Sequence, residues 1–174
     1  SHPGTLRPEH LPASREDAER LWRWALRSCL PHFGPFEDAM STRSTGLFHA
    51  RVSPLLNLHR VLPKRVLADV LAADLPLQSQ EGFVRQILGW REFVRHVHAA
   101  TDGLRRHGTT ALERNTLAGD FDLPPAFWPG KPSGLHCLDR VVEDVWREGY
   151  SHHITRLMVL GNLATLLGVV PEQL

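Results

Sequence analysis

The segment 151–158 combines two adjacent histidines with an arginine three residues further on. His152, His153 and Arg156 stand in an otherwise apolar helical pattern, where a buried polar side chain is costly unless it has partners. Histidine titrates near neutral pH and is a suitable proton donor, while arginine can hold it or an anionic group in place. The pattern therefore indicates either a proton-transfer site or core histidines whose hydrogen bonds are satisfied.

A second group lies in the segment 48–54, where His49, Arg51 and Ser53 precede Pro54. Proline is best tolerated in the first turn of a helix, so a helix is expected to begin near Ser53. Free backbone N–H groups at that start, together with the hydroxyl and the guanidinium, would form a cradle for phosphate. The alternative is that Ser53 only caps the helix.

A third group is Trp90, Arg91 and Glu92, which fall inside a helical pattern. Adjacent residues do not face each other on a helix, because ion pairs need a spacing of three or four residues. Arg91 and Glu92 are therefore expected to reach different partners, although solvated charges on an ordinary amphipathic helix would give the same pattern.

The chain has two cysteines, too few for a disulfide framework or a self-contained zinc site. Cys29, in the middle of a helical pattern, is interpreted as a small apolar core residue. Cys137 follows His136 at an expected helix start, where a thiolate is favoured, so it is a candidate metal or cluster ligand. The histidines match no known zinc spacing.

These residues must be positioned by helices. A helix is expected to begin near Ser14, with a capping serine and acidic first-turn residues, and to stop at Pro31 and Gly34–Pro35. A short amphipathic helix is expected over 63–75, facing inward with Val66, Leu67, Val70 and Leu71.

The clearest helical pattern covers about 79–101 and ends at Asp102–Gly103. Its expected inward face is formed by Phe83, Ile87, Trp90, Val94 and Val97. Residues 104–131 are mixed, with a packed loop expected over 123–130, and two more helices are expected over 135–148 and 151–167. No strand pair or internal repeat is evident, which predicts an all-α fold.

Composition sets the limits of this interpretation. A chain of 174 residues fits one domain with a substantial core. The net charge is +1, and lysine occurs only at Lys64 and Lys131, so the cations are almost all arginine; this indicates either codon usage or a phosphate-binding surface. Few cysteines, no long apolar run and no secretory signal predict a soluble cytoplasmic protein. Residues 1–13 are expected to be an extended segment and 14–174 the helical region.

Four ordered segments, 36–40, 48–57, 83–93 and 152–158, resemble the flavin-binding half of the photolyase/cryptochrome family, and within it the iron–sulfur bacterial and archaeal branch. The resemblance implies a helical FAD-binding domain, present in part, and assigns roles to individual residues. His49, Arg51 and Ser53 would approach the FAD phosphates, while Trp90 and Arg91 would line the flavin pocket and its lesion side. Arg156 would lie close to the flavin, and Trp128 would carry electrons during photoreduction. Cys137 would be the first of four ligands to a [4Fe-4S] cluster.

The same resemblance implies the reaction, light-driven electron transfer from reduced FAD to a flipped-out pyrimidine (6-4) photoproduct. His153, with His152 beside it, matches the proton-donating histidine of (6-4) photolyases, whereas cyclobutane-specific relatives commonly carry asparagine there. Gln86 and Ile87 stand where many cyclobutane photolyases place a glutamate against the lesion. The implied enzyme is therefore a (6-4) DNA photolyase, a lyase of which this chain would be one part.

Departures from the family pattern concern segments outside this sequence. The antenna domain, the three later cluster cysteines and the remaining electron-transfer aromatics have no counterpart here, so the antenna chromophore would also lie outside the chain. The implied partner is ultraviolet-damaged DNA, and no membrane association is expected. The full-length protein would be a monomer in the bacterial cytoplasm, associated with the nucleoid. The alternatives are a cryptochrome-like blue-light photoreceptor with the same flavin site, and a helical interaction module without a cofactor.

Overall fold

The computed structural model describes residues 2–5, 11–103, 121–170 and 173. Its helices are α1 (Arg15–Trp24), α2 (Leu30–Phe36), α3 (Ser53–Asn57), α4 (Pro63–Ala72), α5 (Leu77–Thr101), α6 (His136–Glu148) and α7 (Asn162–Leu166). Two π-helical segments, Ala25–Cys29 and Thr155–Gly161, and a 3₁₀ turn, Pro125–Phe127, join them. The described residues contain no strand beyond an isolated bridge between Phe121 and Val169. The all-α prediction is confirmed.

The chain divides into two compact units, Arg7–Val97 and Ser1–Leu6 with His98–Leu174. Each unit has its own apolar core. We call these the N-terminal unit and the C-terminal unit. The assignment of residues 14–174 to one flavin-binding region stays a prediction.

The N-terminal unit starts with the helix that the sequence predicts. Ser14 caps α1, because its Oγ accepts a hydrogen bond from the Asp17 N–H at 3.1 Å. Asp17 Oδ2 accepts in return from the Ser14 N–H at 3.1 Å, which completes a capping box. The expected helix start near Ser14 is therefore confirmed.

The predicted stop is wrong at Pro31, whereas the stop predicted at Gly34–Pro35 lies within one residue of the end of α2 at Phe36. Helical structure continues from α1 through the π-helical segment Ala25–Cys29 into α2. Pro31 is the second residue of α2 and follows directly after the π-helical segment, and Pro35 falls in the last turn of α2. The π-helical segment lets the chain restart a helix at a position where proline is tolerated.

The core of the N-terminal unit is built from α1, α2, α3, α4, the first half of α5 and the π-helical segment between α1 and α2. Among its fully buried side chains are Trp22, Leu30, Leu55, Val66 and Val70. Helix α4 begins at Pro63 as predicted but ends at Ala72 rather than Leu75. Leu67 packs against the core, whereas Leu71 is 63% exposed, so its predicted inward position is wrong.

Helix α5 confirms the predicted helix but only half of the predicted inward face. Phe83 and Ile87 are buried, whereas Trp90 is 50% and Val94 59% exposed. The reason is that the core of the N-terminal unit contacts only the first turns of α5. The helix ends as expected at Asp102 and Gly103, both with left-handed backbone.

The core of the C-terminal unit packs α6 against Phe127 and the chain's last helical turns. Leu138, Val141 and Val142 supply the buried face of α6, which ends at Gly149 with a φ of 62°. Gly4 lies close to this turn and has no room for a side chain, because a Cβ atom at Gly4 would lie 2.8 Å from the Gly149 Cα. The Gly4 N–H donates to the Trp146 carbonyl at 2.8 Å, which fixes this contact.

The predicted helix over 151–167 is present in a modified form. It includes the π-helical segment Thr155–Gly161, followed by α7. Of the predicted mixed segment 104–131, residues 104–120 lie outside the described residues. The packed loop predicted over 123–130 contains the 3₁₀ turn Pro125–Phe127, and Phe127 is buried. Within the described part of the chain, no helix has the length and apolarity needed to cross a bilayer.

Candidate functional site

The predicted phosphate cradle lies in the loop before α3, in the N-terminal unit. The His49 N–H donates to the Gly46 carbonyl at 2.9 Å, which closes a turn. Leu47 and Arg51 have positive φ values of 40° and 54°, which non-glycine residues rarely adopt. Such backbone strain is concentrated at functional sites, where surrounding contacts hold it in place.

Arg51 lies directly over Gly46. A Cβ atom at Gly46 would come within 2.6 Å of the Arg51 Nη2 atom, so the absence of a side chain at position 46 makes room for the guanidinium. Arg51 itself is exposed. An exposed guanidinium held against the backbone can bind an anion with little loss of side-chain freedom.

His49 and Ser53 flank Arg51 in different environments. His49 is buried, with its Nε2 atom shielded from solvent, and its ring meets Phe33 edge to face with the centroids 6.0 Å apart. Ser53 is exposed at the first residue of α3, and Val52 occupies the capping position. The expected helix start is confirmed, and the alternative that Ser53 is the cap is wrong.

Trp90 and Arg91 lie on α5, beyond the part of the helix that the core covers. The Trp90 ring is half-exposed and meets Phe93 edge to face at a centroid distance of 6.0 Å. Arg91 Nη1 donates to the Ile87 carbonyl at 2.9 Å, while Glu92 pairs with Arg95 at 2.8 Å. Arg91 and Glu92 therefore reach different partners, as predicted.

A carboxylate that sequence reasoning left without a role contacts α5 one turn before Trp90. Gln86 Nε2 donates to Glu37 Oε1 at 2.7 Å, and Glu37 caps the end of α2. Gly82 leaves room for this carboxylate, because a Cβ atom there would lie 2.6 Å from Glu37 Oε2. The Phe36–Met40 motif contains Glu37, but its proximity to Gln86 depends on how α2 packs against α5.

The predicted histidine site lies in the C-terminal unit, before its π-helical segment. His152 is buried with its Nδ1 atom shielded from solvent, and His153 is half-buried. Their ring centroids are 6.4 Å apart. The His152 carbonyl accepts from the Thr155 hydroxyl and the Arg156 N–H, both at 3.1 Å, which fixes the turn that carries both rings.

Arg156 lies in the π-helical segment Thr155–Gly161, and its side chain is exposed. A π-helical turn shifts the register of the side chains by one residue, and such turns are frequent at functional sites. The sequence gives no signal for this turn, because its apolar pattern is equally that of a regular α-helix.

Trp128 has a partner that sequence reasoning missed. Its ring is half-exposed and lies 5.6 Å from the ring of Trp146, measured between centroids. Trp146 Nε1 donates to the Phe127 carbonyl at 3.3 Å, which holds the indole in place. Trp128 and Trp146 are far apart in sequence for a local pattern, so only the packing of the Pro125–Phe127 turn against α6 reveals the pair.

The two cysteines occupy opposite environments. Cys29 is buried, and burial raises the pKa of its thiol to about 11, although nearby Arg51 lowers it. Cys137 is exposed in the first turn of α6. The interpretation of Cys29 as a core residue is confirmed, and Cys137 is the accessible thiol of this chain.

Comparison with known proteins adds to this geometry. No family model matches the chain. The chain is 32% identical to (6-4) photolyase of Agrobacterium fabrum over 173 residues, a match that covers 97% of the chain. The similarity supports the photolyase/cryptochrome family.

The extent of the match differs between relatives. The chain spans about a third, 33%, of the length of the Agrobacterium (6-4) photolyase. It is also 26% identical over 122 residues to an uncharacterized protein of Acanthamoeba polyphaga mimivirus, a match that covers 67% of this chain and 87% of the viral protein.

Proposed function

We propose that the protein carrying this chain is a photolyase that uses FAD and light to repair (6-4) photoproducts in DNA. The observation that carries the proposal is the similarity to (6-4) photolyase across 97% of the chain. Repair of a (6-4) photoproduct needs a flavin site, a proton donor near the lesion and a surface for DNA.

The loop before α3 fits the phosphate-bearing part of FAD. Arg51 would contact a phosphate through its exposed guanidinium, which Gly46 accommodates, and Ser53 would add a hydroxyl at the start of α3. His49, buried beside Phe33, would form the inner wall. Trp90 and Arg91 would line the pocket from α5, and Arg156 would lie near the flavin. When bound, FAD would supply light-driven electron transfer to the lesion.

His153 would donate the proton that the (6-4) photoproduct requires for its hydroxyl to return to the original base. A half-buried imidazole suits this role, because partial burial keeps the ring oriented while leaving one side accessible. His152 would orient it, since the His152 carbonyl is fixed by Thr155 and Arg156.

Trp128 would carry electrons toward the flavin from the surface. Its half-exposed ring and its contact with Trp146 offer two neighbouring aromatic side chains for this relay.

The iron–sulfur cluster receives limited support from the residues present. A cluster of this type is held by four thiolates, while this chain has two cysteines, of which Cys29 is buried. Cys137 would be one exposed ligand, and the others and the antenna chromophore would lie outside this sequence. No step of the repair reaction is assigned to the cluster.

DNA would bind through the arginines of α5. Arg85 and Arg95 are exposed but paired with Glu81 and Glu92, so DNA phosphates would have to replace these surface ion pairs. The lesion would be flipped out of the duplex, at a lower cost than for an undamaged base because it pairs poorly. We infer a monomeric full-length protein of the bacterial cytoplasm, associated with the nucleoid.

The test is blue-light repair of an oligonucleotide that contains one (6-4) photoproduct, by the wild type and by His153→Ala. Loss of a general acid is expected to lower the repair rate by about 100-fold or more, with flavin content unchanged. The matched control is His98→Ala, which removes another exposed histidine of α5 and should leave repair intact. Flavin without repair in the wild type would contradict the photolyase assignment and favour a cryptochrome-like photoreceptor.

A further inference from the structure

A cavity of about 400 Å³ opens in the N-terminal unit between α1 and the loop that leads into α4. Its charged lining consists of Arg15 and Glu19 from α1, His59 and Arg60 from the loop, and Arg65 from the first turn of α4. None of these residues belongs to the flavin site proposed above. Three arginines therefore line this cavity together with one carboxylate.

The Glu19 carboxylate already has a partner in Arg65. Arg65 Nε donates to Asp69 Oδ2 at 2.7 Å, and its Nη2 lies 3.5 Å from Glu19 Oε2. Within the described ranges, Arg15 and Arg60 form no ion pair. The cavity is thus lined by more positive than negative side chains, and among the described residues two of its guanidinium groups form no ion pair.

The loop holds these side chains at the cavity by its backbone. The Arg60 and Val61 N–H groups donate to the Leu55 carbonyl at 2.8 and 3.3 Å, and Val61 is buried. His59 has a φ of 54°, an unfavourable value for a residue with a side chain. The strained residue and the anchored amides fix the direction in which His59 and Arg60 leave the loop.

The lining indicates the ligand. Arginine presents forked N–H donors that match phosphate oxygens, and histidine can add a donor. Leu62 is half-exposed beside them and offers an apolar contact to an organic group. The volume lies within the range of small-molecule sites. We propose that this cavity binds the phosphate group of a nucleotide, either free or within a nucleic-acid strand.

This site would exist whether or not the protein repairs DNA, so its test is independent of the repair assay. Binding to the 174-residue chain is measured by calorimetry at low salt with three probes, inorganic phosphate, thymidine 5′-monophosphate and a short undamaged single-stranded DNA. Arg15→Gln and Arg60→Gln are each expected to weaken binding about tenfold, because each removes a charged hydrogen bond to phosphate. Circular dichroism checks that the variants fold.

The matched control is Arg27→Gln, which removes the same charge from an exposed position of the same unit that does not line the cavity. If the mononucleotide binds and only the cavity variants weaken this binding, the result supports a site for a free nucleotide. If DNA is the only probe that binds and the same variants weaken its binding, the result supports a site for the phosphate groups of a nucleic-acid strand. Equal weakening by Arg27→Gln, or binding of none of the probes, would overturn the proposal.

Discussion

The indole Nε1 of Trp22 donates a hydrogen bond to Asp69 Oδ2 at 2.7 Å and so joins α1 to α4. Trp22 is 1% exposed, and the same Asp69 oxygen accepts from Arg65 Nε at 2.7 Å. The hydrogen bond to Asp69 also raises the pKa of Arg65, since it stabilises the charged guanidinium. One carboxylate thus anchors a buried aromatic ring and one wall of the proposed nucleotide cavity.

Replacing Trp22 with phenylalanine is expected to destabilise the chain by about 2–4 kcal/mol, because it removes a buried hydrogen bond and leaves unfilled volume in the core. The measurement is the midpoint of urea unfolding. The matched control is Trp24→Phe, at a 43% exposed position of the same helix, which should shift the midpoint little. Equal shifts for the two variants would contradict the account of the Trp22–Asp69 contact.

Gly46→Ala is expected to weaken FAD binding about tenfold with little change in stability. The reason is that the new methyl group would displace the Arg51 guanidinium, which is the mobile end of a flexible side chain. Gly89→Ala is the control, since nothing lies within 4 Å of a Cβ atom there. Fluorescence titration with FAD measures the effect, and unchanged affinity in Gly46→Ala would remove Arg51 from the proposed phosphate cradle.

The two thiols are expected to react at very different rates with an alkylating reagent at mildly alkaline pH. Cys137 is exposed, whereas Cys29 is buried and its pKa is raised to about 11, so its reactive thiolate is scarce. Mass spectrometry should find modification at Cys137 in the native chain and at both residues after unfolding. A Cys137→Ser variant that is still alkylated rapidly in its native state would contradict the burial of Cys29.

Much of this arrangement follows from local sequence signals. Ser14 and Asp17 specify the start of α1, Gly149 specifies the end of α6, and the apolar spacing of Phe83 and Ile87 specifies the buried part of α5. These features depend on neighbours in sequence, which capping and periodicity rules describe.

The features that sequence reasoning missed depend on tertiary contacts. Pro31 follows a π-helical segment that its local sequence does not signal, and Gln86 meets Glu37 because α2 packs beside α5. The pairing of Trp128 with Trp146 is of the same kind. The roles of His49, Arg51 and His153 come from resemblance to a family, and they remain predictions.

Asp139 is expected to stabilise α6 in a pH-dependent way. Hydrogen bonds from the Ser133 hydroxyl and N–H lower the pKa of Asp139 from its ordinary value of 3.8. A lowered folded-state pKa contributes stability that is complete above about 3.8 and is lost as the pH falls through the folded-state value. Thermal unfolding should show Asp139→Asn less stable than the wild type at neutral pH, with the difference closing in strong acid.

The control for this prediction is Asp74→Asn, at an exposed position between α4 and α5. It should differ little from the wild type at either pH. A difference between Asp139→Asn and the wild type that does not change with pH would show that the carboxylate charge is not what stabilises the start of α6.

Flavin binding is the central property that we propose, and its most direct measurement is the cofactor content of the purified protein that carries this chain. We expect the absorption spectrum of a flavoprotein and stoichiometric release of FAD on denaturation, with less FAD retained by Gly46→Ala than by Gly89→Ala. A folded protein that carries no flavin and takes up none when FAD is added would contradict the central claim.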